Sequence, residues 1–259
     1  MLIAAALLAL AQVAQAAPAA GALVHHSRLF GLPDGAVGYV PVSASAHPPL
    51  LVLLHGAGHR QAEMVEHFEP EADERGIVLL APDSRGVTWD KVLDAEAPLS
   101  VDSPIANAQS HSFGRTPDSD RVEKAIADLG RILPVDRART VLAGFSDGAT
   151  FALAMGLARD HAFEAVIAWS PGIAIRTQNP ARGRRVFVSH GRADPILKYD
   201  VTCGEILPLL RSEGAEVTFV GFDGGHDAPV WLKDSFLDAV FGKVAGSQAR
   251  PLPAEGATC

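Results

Sequence analysis

Clusters of basic residues are missing from this sequence. Its 22 Lys and Arg residues are scattered, and 30 Asp and Glu residues outnumber them, so the formal net charge is -8. Nucleic acids and anionic membrane surfaces attract proteins mainly through basic patches. We therefore expect neither a nucleic acid nor a membrane surface as a partner.

Cysteine is also scarce, because the chain contains only Cys203 and Cys259. Two cysteines at this spacing do not suggest a zinc site. In an oxidising compartment they could form one disulfide, which would tie the C-terminal tail to the body of the domain. Two unpaired thiols are the alternative, because the sequence alone does not give the distance between them.

Charged side chains are absent before Arg28. Leu2–Val13 consists mostly of Ala, Leu and Ile, and Ala14-Gln15-Ala16 then supplies a small-x-small cleavage pattern. This arrangement predicts a secretory signal peptide over residues 1–16, with an Ala-rich extension as the alternative. The run is shorter than the roughly 20 residues that span a bilayer, and no second long run follows. We expect a secreted or periplasmic protein without a membrane segment after signal removal.

Beyond this leader, short apolar runs alternate with amphipathic stretches, and no internal repeat is visible. Strands are predicted at Val37–Val42, Leu50–Leu54, Ile77–Ala81, Thr140–Phe145, Ala165–Trp169, Val186–Ser189 and Val217–Phe222. Helices are predicted at Ala62–Arg75, Ser119–Leu133, Ala149–Asp160, Val201–Glu213 and Val230–Phe241. The alternation predicts an α/β fold over residues 17–245, with a mostly parallel central sheet and helices on both faces. Residues 246–259 are expected to be an irregular tail.

The segment Asp83–Pro117 breaks this alternation, because it has no clear periodicity. A segment of this length inside a compact domain is usually functional or mobile. It is therefore interpreted as a lid or substrate-facing loop, with Trp89 as a candidate substrate contact. A surface excursion without a function is the alternative.

The pentapeptide Gly144-Phe145-Ser146-Asp147-Gly148 lies between a predicted strand and a predicted helix. This is the setting of a nucleophile elbow, a sharp turn that exposes a serine hydroxyl above the sheet. The flanking glycines leave room for the neighbouring backbone to approach closely. Ser146 is thus the candidate nucleophile.

A serine nucleophile needs a base to accept its proton and an acid to orient that base. Asp194 and His226 each follow a predicted strand, in the order serine, acid, histidine that is typical of this elbow. Asp223 and Asp227 are rival acids, although both lie close to His226 in sequence. His190 is the nearest rival base.

An oxyanion hole requires two backbone N–H groups. One is expected from Asp147, the residue after the nucleophile, and the other from the small residues that follow the strand Leu50–Leu54. We select Ala57 as the second donor, with Gly58 as the close alternative. His55, in the same stretch, is interpreted as a structural residue that binds the loop backbone.

These residues together resemble the phospholipase/carboxylesterase family of α/β-hydrolases. The matching stretches are Leu54-His55-Gly56-Ala57-Gly58, Gly144-Phe145-Ser146-Asp147-Gly148, His190-Gly191-Arg192-Ala193-Asp194 and Gly224-Gly225-His226. Two further stretches are similar to a bacterial secreted branch of the family: Ser84-Arg85-Gly86-Val87-Thr88-Trp89-Asp90 and Ala168-Trp169-Ser170-Pro171-Gly172.

The resemblance covers about Leu50 to Phe241, and it implies an α/β-hydrolase fold with Ser146, Asp194 and His226 as the catalytic triad. The chain departs from the better-known family members at Asp147, where those members have Gln. Only the backbone N–H is needed at that position. We therefore expect catalysis to survive, while the carboxylate can alter substrate choice or pH behaviour.

The expected activity is that of a serine carboxylesterase on small or medium acyl esters, a reaction that needs no metal or cofactor. One alternative is hydrolysis of a polymer-linked ester of the feruloyl or polyhydroxyalkanoate type. Another is a catalytically silent binding protein with a hydrolase fold. The small-molecule ester is the only partner that the sequence predicts.

Overall fold

The computed structural model describes residues 28–58, 60–90, 92, 112–158, 162–253 and 259. The predicted signal peptide, residues 1–16, lies outside this part of the chain, as does most of the irregular segment Asp83–Pro117. Within the described ranges, no helix is both long enough and apolar enough to cross a membrane.

Ten strands lie within the described residues: β1 (Leu29–Gly31), β2 (Val37–Tyr39), β3 (Pro49–Leu54), β4 (Val78–Ala81), β5 (Ser112–Phe113), β6 (Asp136–Phe145), β7 (Ala165–Trp169), β8 (Arg176–Thr177), β9 (Arg185–Gly191) and β10 (Glu216–Phe222). Eight of them form one sheet in the order β1-β2-β4-β3-β6-β7-β9-β10, and β5 pairs with β8 separately. The pairs from β4 to β10 are parallel, whereas β1, β2 and β4 pair antiparallel. The predicted mostly parallel sheet is confirmed.

The α-helices within the described residues include α1 (Gln61–Arg75), α2 (Pro117–Ile132), α3 (Asp147–Leu157), α4 (Tyr199–Val201), α5 (Leu207–Ser212) and α6 (Val230–Phe241), and a short 3-10 helix spans Pro33–Gly35. A π-helical segment, Thr202–Ile206, joins α4 to α5. The sequence predicted one helix over Val201–Glu213, whereas the structure divides it. Pro208 has no backbone N–H, so it cannot donate the regular helical hydrogen bond to residue 204.

Both faces of the sheet are covered, which explains why its central strands are continuous apolar runs. All six residues of β3 are buried, and their side chains alternate between two cores. Leu51 and Leu53 pack with α1 and α6 on one face. Residues of α2, α3 and α5 pack on the other face. This alternation places α1 and α6 together on one face of the sheet.

The C-terminal tail follows α6, which ends at Phe241 and is capped by Gly242 with φ 101°. The described part of the tail has no regular secondary structure, but it is held to α6 by two backbone amides. Gln248 N donates to Asp234 Oδ2 at 2.8 Å, and Arg250 N donates to Ser235 Oγ at 2.8 Å. Cys203 and Cys259 form a disulfide, the first of the two alternatives for the cysteines.

Candidate active site

Ser146 occupies the sharp turn between β6 and α3, with φ 57° and ψ −122°. Positive φ is uncommon for a residue with a side chain and stores backbone strain. A Cβ atom at Gly144 would overlap the carbonyl of Gly148, and one at Gly148 would overlap the carbonyls of Leu54 and His55. Glycine is therefore required at both positions for the turn to form.

The backbone of Ser146 is held on both sides of this turn. Its N–H donates to the carbonyl of Trp169 at 3.0 Å, and its carbonyl accepts from Ala149 and Thr150 at 3.0 and 3.1 Å. These bonds connect the neighbouring strand to the first turn of α3. They place Ser146 at the N-terminus of a helix, whose dipole favours negative charge.

Asp194 and His226 follow β9 and β10, which are adjacent parallel strands. Their loops consequently emerge at the same edge of the sheet, and Asp194 Oδ2 lies 2.7 Å from His226 Nδ1. The two loops touch closely: Ala193 N donates to the carbonyl of Gly224 at 3.0 Å, and a Cβ atom at Gly191 would overlap the carbonyl of Gly225. The structure thus brings the predicted acid and base together.

The Asp194 carboxylate is stabilised in its charged form. Burial by itself would raise its pKa, but hydrogen bonds from His226 and from the amides of Leu197 and Ile196 outweigh burial and leave the pKa lowered. Those amides donate to Oδ1 at 2.9 and 2.8 Å. Because an ionised carboxylate only accepts hydrogen bonds, the proton of this pair resides on His226 Nδ1.

His190, the rival base, lies on the far side of Asp194 and is fully buried. Its Nε2 lies 3.1 Å from Asp194 Oδ2 and 3.0 Å from the carbonyl of Leu197, and its Nδ1 lies 2.7 Å from Thr202 Oγ1. Burial lowers its pKa against weaker opposing effects of Leu197 and Asp194. A neutral ring with its proton on Nε2 satisfies these contacts, because both groups at Nε2 are acceptors.

The rival acids occupy other positions. The Asp223 side chain is 98% exposed and lies 3.5 Å from Arg192. Asp227 Oδ1 accepts from the amide of Ala228, its neighbour, at 2.7 Å. Among the described contacts of the His226 ring, the carboxylate partner is Asp194.

The loop after β3 lies beside Ser146 and lines the same cavity. Ala57 is exposed and lines the cavity at Ser146, whereas the N–H of Gly58 donates to the carbonyl of Val87 at 2.6 Å. The amide of Gly58 is therefore already used, which favours Ala57 over the alternative. His55 is buried below this loop, with Nδ1 2.5 Å from the carbonyl of Gly56 and Nε2 accepting from Ser84 N at 3.2 Å.

Trp89 is buried and does not line the cavity at Ser146, so its prediction as a substrate contact is wrong. Its side chain is fully buried, stacks on Phe151 with ring centroids 5.0 Å apart, and donates from Nε1 to the carbonyl of His55 at 2.8 Å. The segment around it is folded inward because Asp118 accepts from the amides of Arg85 and Asp90, both at 2.9 Å. Trp89 thus supports the loop that carries Ala57. The lid or loop was predicted over Asp83–Pro117, and residues 91 and 93–111 of that segment lie outside the described residues.

A cavity of about 540 Å³ opens at Ser146 and His226. It extends between α1 and α6, and its inner walls include Met64, Phe68, Phe145, Trp169 and Lys233. Sequence reasoning did not identify these five residues as functional. Met64, Phe68, Phe145 and Trp169 follow the apolar pattern of ordinary core positions, and this pattern does not distinguish a cavity wall from the core.

The fold and the elbow define an α/β-hydrolase. The sequence profile described as Phospholipase/Carboxylesterase matches residues 38–230, well over half of the chain. The chain therefore belongs to this family of ester hydrolases, which confirms the resemblance that its motifs indicated. No curated protein is significantly similar to it in sequence.

Solved structures share the fold at low sequence identity. A phospholipase/carboxylesterase from Dyadobacter fermentans is 19% identical, with a TM-score of 0.53 over 84% of this chain and 100% of that one. A carboxylesterase from Bacillus cereus is 20% identical, with a TM-score of 0.52 over 75% and 87%. An acetyl xylan esterase from Aspergillus awamori is 14% identical, with a TM-score of 0.57 over 80% and 93%. At these identities the likeness shows the fold alone.

Proposed function

We propose that this protein is a serine carboxylesterase that hydrolyses esters of small or medium acyl groups through a covalent acyl-enzyme. The observation that carries the proposal is the hydrogen bond between Asp194 and His226 at the edge of a cavity that also exposes Ser146. Membership in the Phospholipase/Carboxylesterase family supports the same reaction class.

His226 acts as the general base in this mechanism. Its Nδ1–H donates a hydrogen bond to Asp194, so its Nε2 has a lone pair that can accept the proton of Ser146 Oγ. The Ser146 oxygen attacks the ester carbonyl, and the carbonyl π electrons move to the oxygen. The charged imidazole is stabilised by Asp194, and it returns the proton to the leaving alcohol when the ester C–O bond breaks.

The tetrahedral oxyanion is stabilised by the backbone N–H groups of Ala57 and Asp147. Asp147 begins α3, so its amide is among the helix N-terminal groups that have no partner within the helix. The position of Ala57 on the cavity wall supports its role as the second donor. Water, activated by His226, then attacks the acyl-enzyme and releases the acid.

The cavity supports the choice of substrate size. At about 540 Å³ it lies within the range that holds small ligands, and its walls are largely apolar. A medium acyl chain or a comparable alcohol can be enclosed there. A lipid with two acyl tails would be too large for this cavity.

Hydrolysis of p-nitrophenyl esters of two to twelve carbons by wild type and Ser146→Ala tests the proposal. We expect the variant to lose activity by on the order of 10⁴-fold or more. Ser212→Ala is the matched control, because the Ser212 hydroxyl donates to the carbonyl of Leu209 at an exposed site. Wild-type rates in Ser146→Ala would overturn the assignment.

We further propose that the protein is secreted or periplasmic, with residues 1–16 removed. The Cys203–Cys259 disulfide supports this proposal, since such bonds persist mainly in oxidising compartments. Mass spectrometry of the protein expressed with its leader should find an N-terminus at Ala17. An uncleaved N-terminus in the exported fraction would contradict it.

A further inference from the structure

Asp118 is a buried carboxylate that the proposed mechanism does not use. It lies in the first turn of α2, it is fully buried, and it does not line the cavity at Ser146. Burying a carboxylate is costly unless hydrogen bonds satisfy it. The groups that donate to Asp118 therefore identify what this side chain holds in place.

The carboxylate of Asp118 binds the two ends of a short stretch of backbone, residues 84–90, hereafter the supporting segment. Its Oδ1 accepts from Arg85 N and its Oδ2 accepts from Asp90 N, both at 2.9 Å. The amide of Asp118 donates in return to Asp90 Oδ2 at 3.1 Å. The first turn of α2 is itself closed by a capping box. Asp118 thus fixes the supporting segment against a well-anchored helix end.

The supporting segment is bonded in turn to residues 55–58, hereafter the oxyanion loop, which carries the second proposed oxyanion donor. Ser84 N donates to His55 Nε2 at 3.2 Å, at the start of the loop. Gly58 N donates to the carbonyl of Val87 at 2.6 Å, at its end. Because the loop is bonded to the supporting segment at both ends, a shift of the segment displaces the loop.

The oxyanion loop packs directly against the nucleophile. A Cβ atom at Gly56 would lie 3.2 Å from Ser146 Cβ, and Ala57 follows on the cavity wall. A displacement of the loop therefore changes where the Ala57 N–H lies relative to the reacting carbonyl. A misplacement of about 1 Å, even one caused far from the chemistry, can lower a rate by about a hundredfold.

We infer that Asp118 is a positioning residue for the oxyanion hole. Its carboxylate fixes the supporting segment, which holds the oxyanion loop so that the Ala57 N–H lies where the oxyanion forms. This inference rests on the proposed esterase function and deepens it. Asp118 acts on the transition state through the loop, and it does so without touching the substrate.

Asp118→Asn tests the inference with a side chain of the same size. The amide replaces one acceptor oxygen by an NH2 group, so one of the two backbone amides that it meets then faces a donor. Asp120→Asn is the matched control, because Asp120 lies in the same first turn of α2 but is half-exposed and pairs with Arg115. The end point of fluorophosphonate labelling counts the active sites in each preparation.

The relative rates of an ester and its thionoester report on the oxyanion hole. The assay compares p-nitrophenyl butyrate with p-nitrophenyl thionobutyrate, in which sulfur replaces the carbonyl oxygen, and each kcat/KM is divided by the rate of hydroxide-catalysed hydrolysis of the same compound. Sulfur accepts hydrogen bonds weakly, so the oxyanion hole accelerates the ester more. We expect the ester-to-thionoester ratio to fall about tenfold in Asp118→Asn. It should equal that of wild type in Asp120→Asn.

A double variant tests the route through the supporting segment. Trp89 belongs to this segment, and its indole donates to the carbonyl of His55 at 2.8 Å, so Trp89→Phe loosens the same loop. When Trp89→Phe and Asp118→Asn are combined, the ratio should fall by less than the product of the two single falls, because both changes act on one network. Falls that multiply would overturn this route.

Failure of the inference differs from failure of the esterase proposal. A folded Asp118→Asn with the wild-type ratio, whatever its absolute rates, would overturn the inference and leave the esterase function standing. A wild-type ratio near one would do the same. If wild type hydrolyses neither compound, the esterase proposal itself fails.

Asp90→Ala keeps the inference testable if Asp118→Asn does not fold. The change removes the carboxylate that accepts from Asp118 N, while the amide of residue 90 still donates to Asp118. We expect the ester-to-thionoester ratio to fall about two- to threefold in this milder variant. An unchanged ratio in folded Asp90→Ala would overturn the inference.

Discussion

Asp194 Oδ2 lies 2.7 Å from His226 Nδ1, although the two residues are 32 positions apart in the chain. The contact exists because β9 and β10 are parallel neighbours, so their following loops reach the same edge of the sheet. In the proposed mechanism, this contact aligns the imidazole, fixes its tautomer and favours its charged form during the reaction. The proposed mechanism depends on this pair more than on any other contact in the site.

Replacement of Asp194 by Asn should lower kcat by on the order of 10⁴-fold, because the amide cannot stabilise the charged imidazole and favours the wrong tautomer. KM should change much less, since Asp194 does not line the cavity. Steady-state kinetics at several pH values measure both constants. Asp223→Asn is the control, because the Asp223 side chain is 98% exposed. Activity above a tenth of wild type in Asp194→Asn would argue against this triad.

His190 should make folding stability dependent on pH. Burial in the folded protein lowers the pKa of His190 below the ordinary histidine value of 6.5. Below about pH 6.5 the unfolded chain therefore binds a proton at this residue that the native state does not. The stability that this residue contributes is complete above pH 6.5. It falls as the pH decreases below 6.5, by at most about 1.4 kcal/mol per pH unit, until the native ring also takes up a proton. Urea denaturation of wild type and His190→Gln at pH 7.5, 6.5 and 5.5 measures this.

The difference in unfolding free energy between wild type and His190→Gln should shrink as the pH falls through this window. If the unfolding free energies of the two proteins vary with pH in parallel, the pKa of His190 is not lowered by burial. The Asp194 contribution is separate, because its lowered pKa makes it disappear only at a pH below about 3.8.

Alanine at Gly148 should be strongly destabilising, by about 3 kcal/mol or more, because its Cβ would overlap two backbone carbonyls that cannot move independently. Gly130→Ala is the matched control. Gly130 lies within α2, and a Cβ there meets no atom within 4 Å. That change should stabilise the protein by up to about 1 kcal/mol. Thermal melts of both variants test the pair, and equal Tm values would refute the packing argument.

Trp89→Phe should lower kcat without changing the relative rates for different acyl chain lengths. The variant loses the hydrogen bond to the carbonyl of His55 and loosens the loop that carries Ala57. We expect a three- to tenfold fall in kcat, corresponding to about 1 kcal/mol for that bond. A shift in chain-length preference would restore the discarded interpretation of Trp89 as a substrate contact.

The sequence predicted those features that depend on local pattern. Seven apolar runs marked strands of the main sheet, and glycines at 144 and 148 marked the elbow. The elbow could be recognised because its geometry demands particular residues at fixed spacing. Asp194 and His226 could be placed because each follows a strand, and parallel strands present their carboxyl ends at one edge.

The remaining features depend on tertiary packing. A tryptophan at position 89 looks the same in the sequence whether it faces a substrate or the core. Its inward position depends on Asp118, whose carboxylate binds the backbone of the Trp89 segment from 28 or more residues away. The place of Trp169 on the cavity wall depends on side chains from two distant helices, because Phe68 of α1 and Phe236 of α6 pack near its ring. The contact between His190 and Asp194 depends on the turn after β9, which has no distinctive periodicity.

Active-site labelling tests the central claim most directly. Wild-type protein treated with a fluorophosphonate should gain one label per chain, and peptide mapping should locate it on Ser146, because only an activated serine reacts readily with this group. Ser146→Ala should remain unlabelled under the same conditions. Labelling of Ser146→Ala to the wild-type level, or a folded wild-type protein that takes up no label, would contradict the account.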